Sequence, residues 1–425
     1  VRIDRPSRLV AYRAASDIVA KGAFFVLTIA AARRLPQSDF GLFAIGSTLG
    51  WMAGLVSDAG LQVHLAREVA RRVDRAGELL DRWLPIRMAG AAAALGVAAL
   101  ALPLSGSTLQ NGLPLFLLVV AYGAGALVEF LNYFFRGLSR TDIESTLTLV
   151  QRLTTVALGL LALAWRPGLM LLAAAMVLSM VAAFLASVRI ARRLTGSAGG
   201  QPNAVGDRRI PVVIPTPRRD RFDEWRRDVL PLGAAAVLSA AYFRIDVFLV
   251  ELWRGSEAVG MYSAVFRLVE AMRLFPAAVL AVVLPSLFRA TTRRPLVSLA
   301  ARLTIAAAVA VVPLWLMAGW LVPFVYGPSY AGAVPAFRIL LLSFPLMSLN
   351  YALTHQLVGW NRHRAYAWIC AASLAFNVAL NARLIPRLSI DGAAWSTLWT
   401  ELLLGGGCLL ALAAGAPAAR SDAQN

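Results

Sequence analysis

Residues 169–190 read LMLLAAAMVLSMVAAFLASVRI, twenty-two positions with a single charge, Arg189, close to the end. As an α-helix rising 1.5 Å per residue, such a run crosses a hydrocarbon slab about 30 Å thick. Runs of this kind recur from one end of the 425-residue chain to the other. The composition agrees: 59% hydrophobic, 15% charged and a mean hydropathy of +0.67, where soluble domains are about a quarter charged. One aqueous core cannot hide that much apolar surface, so lipid is the solvent the pattern fits.

Reading apolar runs against their breakers predicts twelve spans in two groups of six. The first six are expected near Ser16–Ala32, Phe40–Ala59, Trp83–Pro103, Leu113–Phe135, Ile143–Trp165 and Leu169–Ile190. The second six are expected near Val229–Leu252, Val259–Leu287, Leu296–Val325, Val334–Val358, Tyr366–Ile385 and Ala393–Ala414. This divides the chain into an N-terminal lobe (1–190), a basic linker (191–228), a C-terminal lobe (229–414) and a tail (415–425). The linker core, GSAGGQPNAVGDRRIPVVIPTPRRD at 196–220, is too rich in Gly, Pro and charge to offset its ordering entropy and reads as disordered, as does the tail. At the linker's end, Phe222–Arg227 reads as a short amphipathic helix on the membrane surface.

The net charge of +18 would suggest nucleic acid in a soluble protein. Here its location gives another reading, because cytoplasmic loops of membrane proteins collect Lys and Arg. The N-terminal arm carries Arg2, Arg5, Arg8 and Arg13, and the loop after span two carries Arg67, Arg71, Arg72, Arg75 and Arg82. Arg136 and Arg140 follow span four, ten arginines counting Arg189 fall in and just before the linker, and Arg289, Arg293, Arg294, Arg362 and Arg364 follow spans eight and ten. Odd-numbered loops hold only Arg33, Arg34, Arg166, Arg254, Arg383 and Arg387. Both termini are therefore expected in the cytoplasm, with no nucleic-acid partner. The first span has no small-residue cleavage site after it and is expected to remain as a helix. Cys370 and Cys408 lie inside apolar runs, which supports neither a disulfide framework nor a cysteine metal site.

Three landmarks repeat in the same order in both halves. Gly41-Leu42-Phe43 before span two matches Gly260-Met261-Tyr262 before span eight; Gly137 after span four matches Gly359 after span ten; Gly168 matches Gly392. The separations are 219, 222 and 224 residues. A duplicated six-helix unit follows, and because six is even the copies enter the membrane in the same direction, about an axis along its normal. Two such bundles would leave a central cavity that rocking opens to alternate sides, with spans one and seven facing each other across it.

Ionisable residues within spans cost roughly 2.5–3.5 kcal/mol at the bilayer centre, which makes each a candidate for function. Asp17 and Lys21 share a helix face in span one, either as a self-neutralising pair or as cavity groups. In span seven, Tyr242-Phe243-Arg244-Ile245-Asp246 separates its charges by two, so they need different partners. Arg267, Glu270 and Arg273 follow at spacings of three in span eight, an ion-pair ladder with surplus positive charge. Glu129, Arg152, Arg338 and Glu401 are single charges with no partner nameable from sequence. Arg87, Arg302 and Arg383 lie near span ends and are expected to snorkel.

Motifs that would point elsewhere do not occur. The chain has no G-x-x-x-x-G-K-[ST] phosphate loop, its one lysine being followed by Gly22, and no H-E-x-x-H. ATP hydrolysis, a cofactor and enzymatic chemistry are not expected, and the short odd-numbered loops leave little room for a membrane glycosyltransferase or polymerase.

The chain resembles the polysaccharide flippases of the MOP exporter superfamily, which also contains lipid II flippases and, more distantly, multidrug and toxin extrusion proteins. The resemblance rests on Asp39-Phe40-Gly41-Leu42-Phe43, Asp58-Ala59-Gly60-Leu61, Ala66-Arg67-Glu68, Leu230-Pro231-Leu232-Gly233, Tyr242–Asp246, and Val259–Tyr262 with Arg267 and Glu270 following. It implies an all-α fold of two six-helix lobes around a cation-lined cavity, in a bacterial cytoplasmic membrane, carrying an undecaprenyl-diphosphate-linked glycan outward. Arginine suits a diphosphate because its fork pairs with phosphate oxygens. On that basis Lys21, Arg244, Arg267 and Arg273 are the candidate substrate cations. Asp17, Glu129, Asp246 and Glu270 are the candidate carriers of H+ or Na+. Membrane lipids and polysaccharide-assembly proteins are the other expected partners. The lack of a further helix pair after span twelve favours surface polysaccharide over lipid II, and a drug or metabolite antiporter of the same architecture is the main alternative.

Overall fold

The computed structural model describes residues 5–104, 109–197, 230–289, 294–360 and 362–414, and every regular element among them is helical. Seven helices precede the linker: α1 (Arg5–Arg34), α2 (Gln37–Asp58), α3 (Leu61–Arg71), α4 (Ala76–Leu104), α5 (Leu109–Gly137), α6 (Thr141–Trp165) and α7 (Leu169–Ser197). After it come α8 (Leu230–Met272), α9 (Leu274–Arg289), α10 (Arg294–Tyr326), α11 (Val334–Gly359) and α12 (His363–Ala413). Nine described helices are long and apolar enough to cross a membrane. The chain is an all-α, multi-pass membrane protein. The linker is expected to begin at 191, but α7 continues through Ser197, so residues 191–197 are helical, Gly196 and Ser197 of the stretch expected to be disordered among them. The rest of that stretch, the expected interfacial helix at Phe222–Arg227 and the tail at 415–425 lie outside the described residues.

Two boundaries between expected spans are single-residue breaks within otherwise helical runs. α8 joins span seven to the start of span eight through Gly255, at φ 77° and ψ 175°. A Cβ there would meet nothing within 4 Å, so glycine serves the backbone conformation and not the space. α12 joins spans eleven and twelve through Ser389, at φ 54°.

Span eight, expected as one helix over Val259–Leu287, is instead divided between α8 and α9 at Arg273. Pro276 accounts for the break, since it has no N–H to donate and its ring crowds the carbonyl of Met272, four residues earlier. The turn is closed by the Arg273 N–H donating to the Glu270 carbonyl at 3.1 Å.

The stretch after span two, expected as an arginine-rich loop, contains α3. Leu61, Leu65 and Val69 recur every four residues, and Leu65 and Val69 are fully buried against Phe130, Phe134 and Phe135 of α5 and Leu80 of α4. Gly137 admits the contact, since a Cβ there would lie 2.8 Å from the Ala66 carbonyl oxygen.

The chain divides into two compact units, Val1–Ala30 with Gly46–Gly233, and Ala31–Ile45 with Ala234–Asn425. The first is held partly by buried polar contacts. Thr155 and Ser179 hydroxyls meet at 2.8 Å between α6 and α7. Arg87, only 1% exposed, lies 3.5 Å from Asp58 and donates to Ser57 Oγ at 2.7 Å and the Gly54 carbonyl at 3.0 Å. Arg87 therefore does not snorkel. Its guanidinium is held within the bundle by an ion pair and two hydrogen bonds, which is how a buried charge is tolerated.

In the second unit, Leu303, Ala352, Leu353, Leu357, Leu404 and Cys408 form a buried core. The hairpin Ala31–Ile45 belongs here because two duplicated glycines meet. A Cβ on Gly41 would stand 1.8 Å from the Ser256 carbonyl oxygen and 3.0 Å from Gly260 N; one on Gly260 would stand 2.3 Å from the Gln37 carbonyl oxygen and 3.3 Å from Gly41 N. Ser256 follows Gln37 by 219 residues, as Gly260 follows Gly41. The crossing is thus reciprocal, with small residues admitting close backbones in the manner of membrane helices. Polar contacts fasten the same hairpin. Arg33 donates to the Val325 carbonyl at 2.7 Å and also to that of Phe324, and Gln37 donates to the Ser329 carbonyl at 2.8 Å. The Phe324 and Val325 carbonyls stand at the end of α10, where helices leave such groups unsatisfied.

Candidate substrate and ion-coupling site

The eight expected site residues fall into two sets. Asp17, Lys21 and Glu129 lie in the first unit. Arg244, Asp246, Arg267, Glu270 and Arg273 lie in the second, all on α8 or at its end.

The two-residue spacing in α8 sends its charges to different partners. Arg244 forms an ion pair with Glu270 at 2.6 Å, its side chain 14% exposed and that of Glu270 36%. Its guanidinium also lies 5.4 Å from the Phe243 ring centroid and 5.2 Å from that of Phe266. Asp246 is 3% exposed and accepts hydrogen bonds from the Tyr262 hydroxyl and from the Val247 N–H, the latter at 2.9 Å. The Tyr262 and Thr397 hydroxyls lie 3.3 Å apart, which ties both halves of α8 to α12.

The kink at Arg273 places its guanidinium 4.2 Å from the Phe243 ring, on which Arg244 also rests. Arg267 lies 5.8 Å from the Phe43 ring of the duplicated hairpin. Arg267 and Arg273 both act electrostatically on Glu270. Three arginines therefore share one carboxylate, and Asp246 is engaged by a tyrosine. Cation–π contacts hold these guanidiniums against aromatic rings and so help to orient them.

In the first unit, Lys21 and Asp17 pair at 2.7 Å with side chains 51% and 55% exposed. Glu129, 47% exposed, accepts from Asn132 at 3.2 Å and lies 3.6 Å from Arg136. Arg136 in turn binds buried Glu144 at 2.6 Å, and Arg13 lies 3.5 Å from the same carboxylate. Partners that the sequence left unnamed are now assigned. Glu401 accepts from Asn350, Arg338 rests on Trp315 at 4.9 Å, and Arg152 lies 5.2 Å from the Phe24 ring. Thr397 and Asn350 carry no sequence signal beyond being polar within an apolar run, and Tyr262 is marked only as part of the Gly260-Met261-Tyr262 landmark.

Among the described residues no cluster of three or more His, Cys, Asp or Glu could hold a metal ion. The sequence model of a family described as polysaccharide biosynthesis protein matches residues 8–291, about two thirds of the chain. The chain belongs to that family. No curated protein matches it in sequence.

Solved structures show which fold this family member has. The lipid II flippase MurJ, in an inward closed conformation, superposes with a TM-score of 0.61 at 12% identity, covering 93% of this chain and 87% of that one. An inward-facing multidrug resistance MATE transporter of the MOP superfamily gives 0.64 at 14%, covering 93% and 94%. A MOP superfamily transporter from Pyrococcus furiosus, described as having a binding pocket of reverse polarity, gives 0.61 at 13%, covering 96% of each chain. The family member thus has the MOP fold, shared by flippases and drug transporters.

Proposed function

We propose that this protein is a flippase of the bacterial cytoplasmic membrane that moves an undecaprenyl-diphosphate-linked oligosaccharide outward by alternating access, with both termini in the cytoplasm. The observation that carries the reading is the local excess of arginine around Glu270, at the C-terminal end of α8. Arg244, Arg267 and Arg273 share Glu270, an arrangement suited to a multiply charged anion and poorly suited to organic cations. In this reading they hold the diphosphate together with Lys21. Asp246 is the foremost carrier of a coupling H+ or Na+, because it is buried and its contacts bridge two helices; Asp17, Glu129 and Glu270 are the other candidates. The polyprenyl tail stays in membrane lipid, and polysaccharide-assembly proteins supply and consume the glycan. Membership of a polysaccharide biosynthesis family supports this reading.

The similarity to MATE transporters favours a second reading, antiport of a drug or metabolite. The decisive measurement is flipping of a fluorescent polyprenyl-diphosphate glycan by purified protein in proteoliposomes, with and without a proton or sodium gradient. Gradient-dependent flipping supports the proposal. Extrusion of a cationic dye with no glycan movement would overturn it, and a requirement for ATP would exclude ion coupling.

A further inference from the structure

A second buried carboxyl group lies in the same unit, and the substrate site does not use it. Glu401 of α12 is 3% exposed. Its Oε2 accepts from Asn350 Nδ2 of α11 at 2.7 Å, and the same nitrogen donates to the Glu401 backbone carbonyl at 2.8 Å. One turn along α12, Gly405 presses on this amide, where a Cβ would stand 2.7 Å from Asn350 Oδ1. Ala352, Leu353 and Leu404 belong to the apolar core around it. Asn350 is thus fixed against the carboxyl group by two hydrogen bonds and a glycine contact, in surroundings where an unsupported charge is costly.

The groups that face Glu401 can be named from each element. The break between α8 and α9 supplies Arg273, which acts across space and makes no hydrogen bond to the carboxyl group. α8 supplies Tyr242, α12 supplies Cys408, and α11 supplies only the neutral amide. Arg273 is therefore felt by both Glu401 and Glu270, on the two sides of the kink.

Position links Glu401 to Asp246 as well. Thr397, which lies 3.3 Å from Tyr262, precedes Glu401 by four residues. The two stand on one face of α12, about 6 Å apart along its axis. Tyr262 then reaches Asp246 directly.

We propose that Glu401 is a second proton-binding carboxyl group of this protein, taking up one proton as the neutral acid and releasing it as carboxylate during the transport cycle, beside Asp246. Its role in transport rests on the ion-coupled reading above; the proton binding itself does not.

The test is infrared difference spectroscopy of the full chain reconstituted in lipid, stepping the bath between acid and alkaline pH and exchanging H2O for D2O. The wild type should show a titrating, deuterium-sensitive carbonyl stretch of a protonated carboxyl group that is lost in Glu401→Gln. Asn350→Ala removes only the donor and should keep the band at a shifted frequency, so a folding defect in one variant does not decide the matter. Asp246→Asn should remove a different band. In proteoliposomes, Glu401→Gln should lose the pH dependence of glycan flipping that the wild type shows. A Glu401→Gln spectrum matching the wild type across the pH range would overturn the proposal. Wild-type protein that flips no glycan but keeps the Glu401 band would overturn the substrate reading and sustain this one.

Discussion

Spans one and seven each open one of the two groups of six expected from the sequence, yet they carry charge in different ways. Asp17 and Lys21, four residues apart, neutralise each other at 2.7 Å on the surface of their own helix. Arg244 and Asp246, two residues apart, cannot reach each other's side of the helix and bind Glu270 and Tyr262 instead. The first pair is local and can be removed without leaving a neighbour unsatisfied. The second is tertiary, and each member holds another element in place. A change of spacing by two residues thus separates a self-contained pair from one whose loss must be felt across a bundle.

Gly41 and Gly260, matched in the sequence, meet in the structure, and here the largest effect is expected. Gly41→Ala and Gly260→Ala each drive a methyl group into backbone, at 1.8 and 2.3 Å, which no side-chain rotation relieves. Each should exceed the roughly 1–3 kcal/mol typical of overpacking, since the obstacle is a carbonyl and not a rotamer. Gly22→Ala, where nothing lies within 4 Å, should be neutral or slightly stabilising within its helix. Thermal unfolding in detergent, read with membrane abundance, checks all three. Near-native stability of either clashing variant would break the idea that the duplicated glycines form one reciprocal crossing.

Next in size is Arg244→Ala, which removes the guanidinium paired directly with Glu270 and leaves that carboxylate the electrostatic influence of Arg267 and Arg273. A fully buried pair loses about 3–5 kcal/mol when one partner is removed. Glu270 is 36% exposed, so about 2 kcal/mol is expected. The paired Arg244→Ala, Glu270→Ala protein should recover much of that stability, whereas Asp17→Ala in span one should need no compensating change. If the double variant is no more stable than the single, the pair is not the tertiary link described here.

How far the sequence foretold these features depends on distance along the chain. Helix periodicity reports a residue's own face, so the spans and the divergence of Arg244 and Asp246 were readable. The same period that reveals a face says nothing of what packs on it. Tyr262 lies 135 residues from Thr397 and Asn350 lies 51 from Glu401, and no local pattern connects them. α3 was hidden because Leu61, Leu65 and Val69, with Arg67 and Arg71 beside them and Arg72 and Arg75 just beyond, look like a charged loop until Phe130, Phe134 and Phe135 are seen to cover Leu65 and Val69. The break at Arg273 had a visible cause in Pro276, but a proline within a membrane helix is often accommodated, so its presence alone did not place the kink.

Arg273 sharpens the comparison from the substrate's side. It rests on Phe243 and acts on two carboxyl groups without a short ion pair to either, so its removal should disturb folding less than that of Arg244. As a phosphate-binding fork it should instead lose a charge-assisted hydrogen bond of about 1.5–3 kcal/mol, or roughly ten- to a hundredfold in substrate affinity. Arg273→Lys should retain part of that affinity, since the charge persists while paired geometry is lost. Unchanged flipping by well-expressed Arg273→Ala would remove it from the substrate site.

Lys21 should show the smallest effect on stability. Its pair with Asp17 is an exposed i,i+4 contact, of a kind worth about 0.3–0.5 kcal/mol, so Lys21→Ala should reach the membrane at wild-type levels. Any loss of flipping then reports on substrate and not on folding, which makes this the cleanest of the four cations to test. An ammonium binds phosphate as a point charge, so the loss should sit near tenfold, the lower end of the range for arginine. Lys21→Arg should keep most activity, and Asp17→Asn, which frees the ammonium from its neighbour, should not lower affinity for an anion. A structural pair predicts the reverse pattern: equal and small effects from Lys21→Ala and Asp17→Asn, with no dependence on the charge of the lipid-linked substrate. Measuring flipping of diphosphate- and monophosphate-linked glycans by the three variants separates the two, because only a cation that touches the headgroup should lose more on the diphosphate.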